Sequence, residues 1–556
     1  MLLESDVTWK SSVEQKLRVL EDAIQKLNEK SASVDKDSIP VVMAPETTSH
    51  TRNNTERTGL VTQQHESGWE VIMDLNRGPG VIPASVVSEI AEAIPGTYIG
   101  ATRELDLIDR GIISLADAEG YFTFYYGRLD HFLYRVLAEH DSLSSVRKSS
   151  ALLTAAICVV GALHQPSLQY QACYQHFVHL ASSRMFSKKN SHDDVRALCI
   201  GAFWLSDISW NLSGTAVRLA GELNLHRCIP KAPHTKRACY LRTRLYYLVY
   251  ICDHHFSIAY GRPPLTRDFG SITPPTDFLK SEFATGDDVR LVSQIEIWTI
   301  STRIFDRFSL DPEAHLSEQL IPQLRRLSID LDTWRADWPD RFGFNETTGS
   351  HPRKEAGLHY YFAKLFLCSH VFRKAPIAEG QPLNFGPDLK EFADMAVHAS
   401  TSILQAITSD QEIQSFLREL PAYFDTMIAF AFVFLLRVTV KNPANIWMDK
   451  ADISDTLDKL AAVLEKMTES MHSRHLLTNI AKSMRKLLDR FGYSQNRRYD
   501  SATLPSTTGD ASILPDVNHQ NWVSPTDMMF LEQFDFLNSP DADFNFDPDF
   551  WATPHP

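Results

Sequence analysis

An all-α protein is the fold class this sequence predicts, and three observations carry that expectation. Apolar residues recur at steps of three and four from about residue 83 to residue 493, which is the period of helices with one buried face. Alternation of period two is nowhere sustained, so no large sheet is expected. Hydrophobic residues make up 44% of the 556-residue chain, enough for a real core, in one large helical body or several smaller ones.

In chain order, residues 9–30 carry Val13, Leu17, Leu20, Ile24 and Leu27, spaced so that all five fall on one helical seam. Leu17 and Ile24 take position a of a heptad, and Val13, Leu20 and Leu27 take d, with Lys16 and Glu21 placed to attract across a parallel dimer. Residues 1–30 are therefore expected to form a dimerisation helix. Packing of the same seam on the protein's own core is the alternative for so short a heptad run. Residues 31–67 are polar and aperiodic and read as a disordered linker. Residues 68–83, rich in Gly and Pro, read as turns at the entrance of a helical domain spanning 68–493.

Within that domain the periodicity predicts helices over 85–93, 114–138, 146–163, 170–186, 193–206, 213–223, 237–260 and 287–308, then over 317–335, 356–372, 389–408, 411–420, 423–440 and 456–491. Ser191 followed three residues later by Asp194 is a helix-start signal. Gly492 is suited to close the last helix. The strongly apolar run 427–436, bounded by Asp425 and Arg437, is shorter than the ~20 residues a membrane span needs, so a core helix is expected there.

The stretch 213–269 is the most specific. Ala216, Leu219, Ala220 and Leu223 define one helical face, and Leu241, Leu245, Leu248 and Cys252 define the next. Between them Pro230 and Pro233 remove backbone donors and force a bend. Arg262-Pro263-Pro264 ends the second helix, because a residue before proline is pushed out of the α region. A buried arginine in such a unit needs an acidic or carbonyl partner, which Asp253 or Asp268 would supply. The run AVRLA (216–220), Leu225-His226-Arg227, the basic Arg242-Thr243-Arg244, Asp253 and Gly261-Arg262-Pro263-Pro264 resemble the signature of the fungal transcription-factor regulatory domain, the middle homology region of zinc-cluster regulators. Two positions depart from it: Asn224 stands where the family shows Gly, and Tyr246-Tyr247 where it shows Trp-Trp. The resemblance implies an all-helical regulatory domain in a nuclear regulator of RNA polymerase II transcription, with Arg218, Leu225, His226, Arg227, Asp253, Gly261, Arg262, Pro263 and Pro264 as structural or regulatory motif residues. It also implies a possible small-molecule effector held by that domain.

Such regulators carry a six-cysteine, two-zinc cluster built on CxxC steps. Here the first of seven cysteines is Cys158 and no CxxC occurs. No cofactor is expected in this chain, with zinc expected only if a cysteine cluster exists upstream. Promoter DNA would then be reached through a missing module or a partner, and a non-DNA-binding partner or competitor of a zinc-cluster regulator is the alternative function. A net charge of −14 gives the bulk of the chain no general attraction for nucleic acid. His226, Cys228, His234 and Cys239 invite a metal reading but lack paired spacing. Asp253-His254-His255 resembles a phosphoesterase metal motif, yet consecutive residues of a helix diverge around its axis. With no P-loop, GxSxG or GxGxxG, nothing points to an enzyme.

After Arg498 no Lys or Arg occurs. Residues 494–556 read as a disordered tail in which Phe530, Phe534, Phe536, Phe544, Phe546, Phe550 and Trp551 are interleaved with acids, the composition of an activation domain that binds coactivators. An arm docking those rings on its own core is the alternative. The remaining partner expected is a second copy or a related regulator, through the N-terminal helix.

Overall fold

A computed structural model describes residues 104–490 except 260, 271–272, 310–315, 317, 344–348, 373–384, 442, 444 and 447. The dimerisation seam, the linker, the helix expected at 85–93, Gly492 and the acidic tail lie outside the described residues. Among those described, the secondary structure is helical and contains no β-strand.

The first half is built around two helices with almost no outer face. α1 (Leu115–Phe124) starts at Ser114, whose hydroxyl accepts from Asp117 N. α2 (Leu143–Ser149) leads into α3 (Ala151–His164), in which every residue from Ala151 to Leu163 is buried. α4 (Tyr170–Arg184) follows, and α5 (His192–Trp204) is buried from Asp193 onward. The Ser191–Asp194 capping box opens α5 as the sequence predicted, with Asp194 N on Ser191 Oγ at 3.2 Å and Ser191 N on Asp194 Oδ2 at 2.7 Å. α3 packs on α1, α2, α4 and α5, and α5 packs on α6 (Ser209–Glu222). Gly161 is obligatory in that packing, because a Cβ there would stand 2.6 Å from Tyr121 Cβ and 2.9 Å from its Cα.

α7 (Arg237–Ala259) and α8 (Gly286–Phe308) lie side by side, and α7 rests on α5 and α6. The second half comprises α9 (Ile321–Asp337), α10 (His351–Ser369), α11 (Pro387–Ser409), the short α12 (Gln411–Phe416), α13 (Ala422–Lys441), α14 (Lys450–Thr468) and α15 (Leu476–Arg490). α15 buries Leu477, Ile480, Ala481, Met484, Leu487 and Leu488, and its Arg485 forks onto Glu465 of α14 at 2.7 and 2.9 Å. Each buried Leu or Ile contributes roughly 1.5–3 kcal/mol against roughly 0–1 kcal/mol for a surface ion pair, so the apolar face seats this helix.

α13 touches α5 and α7 as well as α10, α11, α14 and α15. Its stretch Ala422–Val440 is long and apolar enough to cross a membrane by length and composition, with 83% of the apolar window buried inside the protein. The expectation of a core helix stands on that burial. The length argument undercounted the apolar stretch.

Three expected helices are broken. The single helix over 114–138 stops at Phe124, continues as wider and tighter turns over Tyr125–Leu129 and Asp130–Leu133, and ends at Tyr134 and Arg135, both left-handed with φ of 53° and 57°. Tertiary contacts hold this break. Arg135 N donates to Asp130 O at 2.9 Å, Leu137 N donates to the Asp130 carboxyl at 3.1 Å, and Arg244 donates to the Tyr134 carbonyl. The helix over 146–163 is divided at Ser150, which is extended; its hydroxyl accepts from Leu153 N and donates to Asp194 at 2.8 Å. The helix over 456–491 is two, because the His475 ring accepts from Leu477 N at 3.2 Å and starts α15 afresh.

Candidate functional site

The bend between α6 and α7 is built as the periodicity requires. α6 buries Ala216, Leu219 and Ala220. It ends at Asn224, left-handed with φ 55° and ψ 35°, a conformation Asn tolerates better than other residues with a Cβ. That is the physical reason Asn substitutes for the family's Gly. Leu225–Lys231 forms a tight turn that buries Leu225, Cys228 and Ile229. Tyr246 and Tyr247 fill the Trp-Trp positions with buried rings, packed edge-on against Phe269 at 5.8 Å and Phe278 at 5.3 Å.

α7 ends in a double latch. Gly261, with φ 61°, donates its N–H to Ile258 O at 3.1 Å, and Arg262 N donates to Ser257 O at 2.8 Å. These are the two hydrogen bonds of a Schellman terminus, with glycine in the left-handed position. Pro263 and Pro264 follow this stop; the glycine, more than the prolines, makes it. Asp253, fully buried, then reaches over the stop. Its Oδ2 accepts from Leu265 N at 2.8 Å, Thr266 N at 2.7 Å and Thr266 Oγ1 at 2.7 Å, and its Oδ1 accepts from Ser257 Oγ at 3.1 Å. The expectation that Asp253 would pair with a buried arginine is therefore corrected, because the acceptor sites of its carboxylate are taken by loop amides and hydroxyls. Arg262 instead lies over the Trp210 ring of α6 at 4.7 Å, a cation–π contact.

Asp253, Gly261 and Arg262 are thus brought together at one helix end. Arg218 is not; it stays half exposed, 3.4 Å from Glu222. Leu225 is core, and the His226 ring packs near Tyr246 and Phe269, with burial lowering its imidazole pKa. Arg227 contributes its N–H to the Asn224 carbonyl at 3.2 Å. His254 stacks on Tyr250 at 3.8 Å while His255 stacks on Tyr423 at 4.2 Å, so the Asp-His-His run diverges as helix geometry demands. His234 has its Nε2 3.0 Å from both Cys228 O and Thr243 Oγ1. Among the described residues no three His, Cys, Asp or Glu side chains converge on a metal position. The seven cysteines, six of them buried, do not assemble the donor set of a zinc cluster.

Sequence reasoning missed the other end of α7. Asp288 caps α8, accepting from Thr285 N at 2.7 Å, and also accepts from Tyr240 OH at 2.6 Å and Arg244 Nε at 2.7 Å. Burial opposes the Arg244 charge, but Asp288 outweighs it and holds the guanidinium pKa above its ordinary value. The basic run 242–244 was the signal; its partner, some forty residues on, was not visible.

Residues 111–488, which include the bend and both ends of α7, match the family model described as the middle domain of the transcriptional activator of proteases prtT. The chain is 36% identical over 399 residues to the transcriptional activator of proteases prtT of Emericella nidulans, covering 70% of this chain and 60% of that protein. It is 22% identical over 307 residues to the thiamine repressible genes regulatory protein thi1 of Schizosaccharomyces pombe, covering 53% of this chain and 38% of that one. The matches span less than two thirds of the length of either relative. No solved structure matches the chain. The signature is thus part of a likeness that runs through the whole described body, and the chain belongs to the fungal transcription-factor family that shares the prtT middle domain.

Proposed function

We propose that this protein is a nuclear regulator of RNA polymerase II transcription and not an enzyme, with the helical body as its control domain. The observation that carries this reading is the family match over 111–488, and the relatives' names support it: one is an activator of proteases and the other a regulatory protein of thiamine-repressible genes. In this reading the seam of Val13, Leu17, Leu20, Ile24 and Leu27 pairs the chain with itself or a related regulator. The tail from Phe530 to Trp551 engages coactivators, and the body takes a small effector. Promoter DNA is reached through a module other than the residues given, or through a partner that carries one.

The test is to fuse the full chain, and separately residues 500–556, to a heterologous DNA-binding domain and measure a reporter. Both fusions are expected to raise expression, and alanine at Phe534, Phe536, Phe544 and Phe546 is expected to remove most of the gain. Silence from both fusions would sink the activator reading. Leu20→Lys with Ile24→Lys is expected to halve the mass by light scattering; an unchanged mass would remove the dimerisation seam.

A further inference from the structure

Two pairs of thiols are in side-chain contact among the described residues, and the pairs differ in access. Cys199 of α5 meets Cys252 of α7, and both residues are fully buried. Cys228 of the bend meets Cys239 in the first turn of α7, but here only Cys228 is buried, at 3% exposure, while Cys239 is half-buried. A reagent in solution can therefore reach the second pair through Cys239.

The neighbours of this pair hold it in place. Buried His234 sets its Nε2 3.0 Å from the Cys228 carbonyl oxygen and 3.0 Å from Thr243 Oγ1, and its backbone N–H donates to Ser281 Oγ at 2.9 Å. Thr243 follows Cys239 by four residues and shares its face of α7. The histidine thus ties the backbone at Cys228 to the side of α7 that carries Cys239. In the connecting segment Pro233, Thr235, Lys236 and Arg237 are exposed. Residues 223–252 carry six Lys or Arg and no acid. Burial and the neighbouring Cys239 push the Cys228 thiol pKa up, and the charges of Lys231 and Arg242 oppose them. Partial exposure in an electropositive setting is what makes a cysteine reactive, so Cys239 is the attacking thiol and Cys228 the one that resolves.

We propose that Cys228 and Cys239 are a redox modification site, which hydrogen peroxide converts to a disulfide clamping the bend onto the start of α7 and which a thiol reductant restores. The Cys239 thiolate attacks one peroxide oxygen; the S–O bond forms as the O–O bond breaks, and the leaving hydroxide takes up a proton to become water. The Cys228 sulfur then attacks the resulting sulfenic acid, forming the S–S bond and expelling a second water that carries off the Cys228 proton. The two thiols supply the two electrons that reduce the peroxide. In a reducing compartment such a bond is transient, as sensing disulfides are. The inference goes beyond the regulatory reading and stands or falls apart from it.

Mass spectrometry of the full chain tests it. After hydrogen peroxide and blocking of the remaining thiols, trypsin cuts after Arg227, Lys231, Arg237 and Arg242 and releases residues 228–231 disulfide-linked to residues 238–242. That linked pair is expected to form roughly tenfold faster than any product at Cys199 or Cys252 and to vanish on treatment with dithiothreitol. In Cys228→Ser, Cys239 is expected to stop at the sulfenic acid and be trapped by dimedone. In Cys239→Ser, a partly exposed position where folding is not at risk, Cys228 is expected to stay reduced. Absence of the linked pair, a link between Cys199 and Cys252 that forms first, or Cys228 oxidised as fast in Cys239→Ser as in the wild type overturns the proposal.

Discussion

Asp253 and Asp425 are both fully buried, yet they sit in opposite surroundings. Asp253, near the end of α7, receives four hydrogen bonds and fixes the loop that follows the helix. Asp425, in α13, meets no hydrogen-bond donor among the described residues at either oxygen, and burial pushes its carboxyl pKa well above the usual range. Other buried groups are left in the same state: both ring nitrogens of His255, Nε2 of His359 and the Tyr423 hydroxyl are buried without a hydrogen-bond partner, and the three rings stack on one another. Equal burial therefore says little about what a polar group does. The donors around it decide whether it organises backbone or merely endures a dry interior.

The sharpest test of that contrast is acid. Burial holds His351 at about 4 and His131 at about 2, both neutral in the folded protein. An imidazole whose folded pKa is depressed contributes stability that is present above the unfolded value of about 6.5 and is lost as pH falls through the folded value. For His351 alone the loss is on the order of 3 kcal/mol, so denaturant titrations are expected to show the midpoint falling steeply from pH 6.5 to pH 4. A flat midpoint over that window would mean that these rings are solvated.

Next in size is Asp253→Ala, which strands the amides of Leu265 and Thr266 by removing their buried acceptor and is expected to cost about 3 kcal/mol. Proteolysis after Arg267 should accelerate with it. Gly261→Ala keeps the carboxylate but places a Cβ in a left-handed position, with an expected loss of about 1–2 kcal/mol. Equal losses from the two variants would reduce the latch to its glycine. The smallest effect is expected at Asp425→Asn. A carboxyl whose folded pKa is raised adds stability below its unfolded value of about 3.9 and loses it as pH rises through the folded value. The non-titrating variant should therefore match the wild type in acid and exceed it by about 1 kcal/mol above neutrality. A variant less stable at every pH would show that Asp425 has a partner worth keeping.

The elements legible in the sequence are those whose signal is local. Leu241, Leu245 and Leu248 announced the buried face of α7, and Ser191 with Asp194 announced the start of α5. The stop at Gly261 was visible as a turn, although its cause was assigned to the prolines. What stayed hidden depends on partners far along the chain or on the backbone itself. Asp253 is satisfied by amides twelve and thirteen residues later, and an amide carries no residue signature. Tyr134 and Arg135 are not turn formers; Arg244, 110 positions on, holds them in place. The break before α15 contains neither Gly nor Pro and is made by a histidine ring.

Because α13 leans on α5 and α7 as well as on α10, α11 and α15, a cut anywhere between α5 and α13 parts it from helices it packs on. A recombinant piece ending before Ala422 would present the flanks of all these partners to water at once and would be recovered as aggregate. A piece ending before Ala422 should become recoverable when the remainder of the chain, which carries this strut, is co-expressed with it.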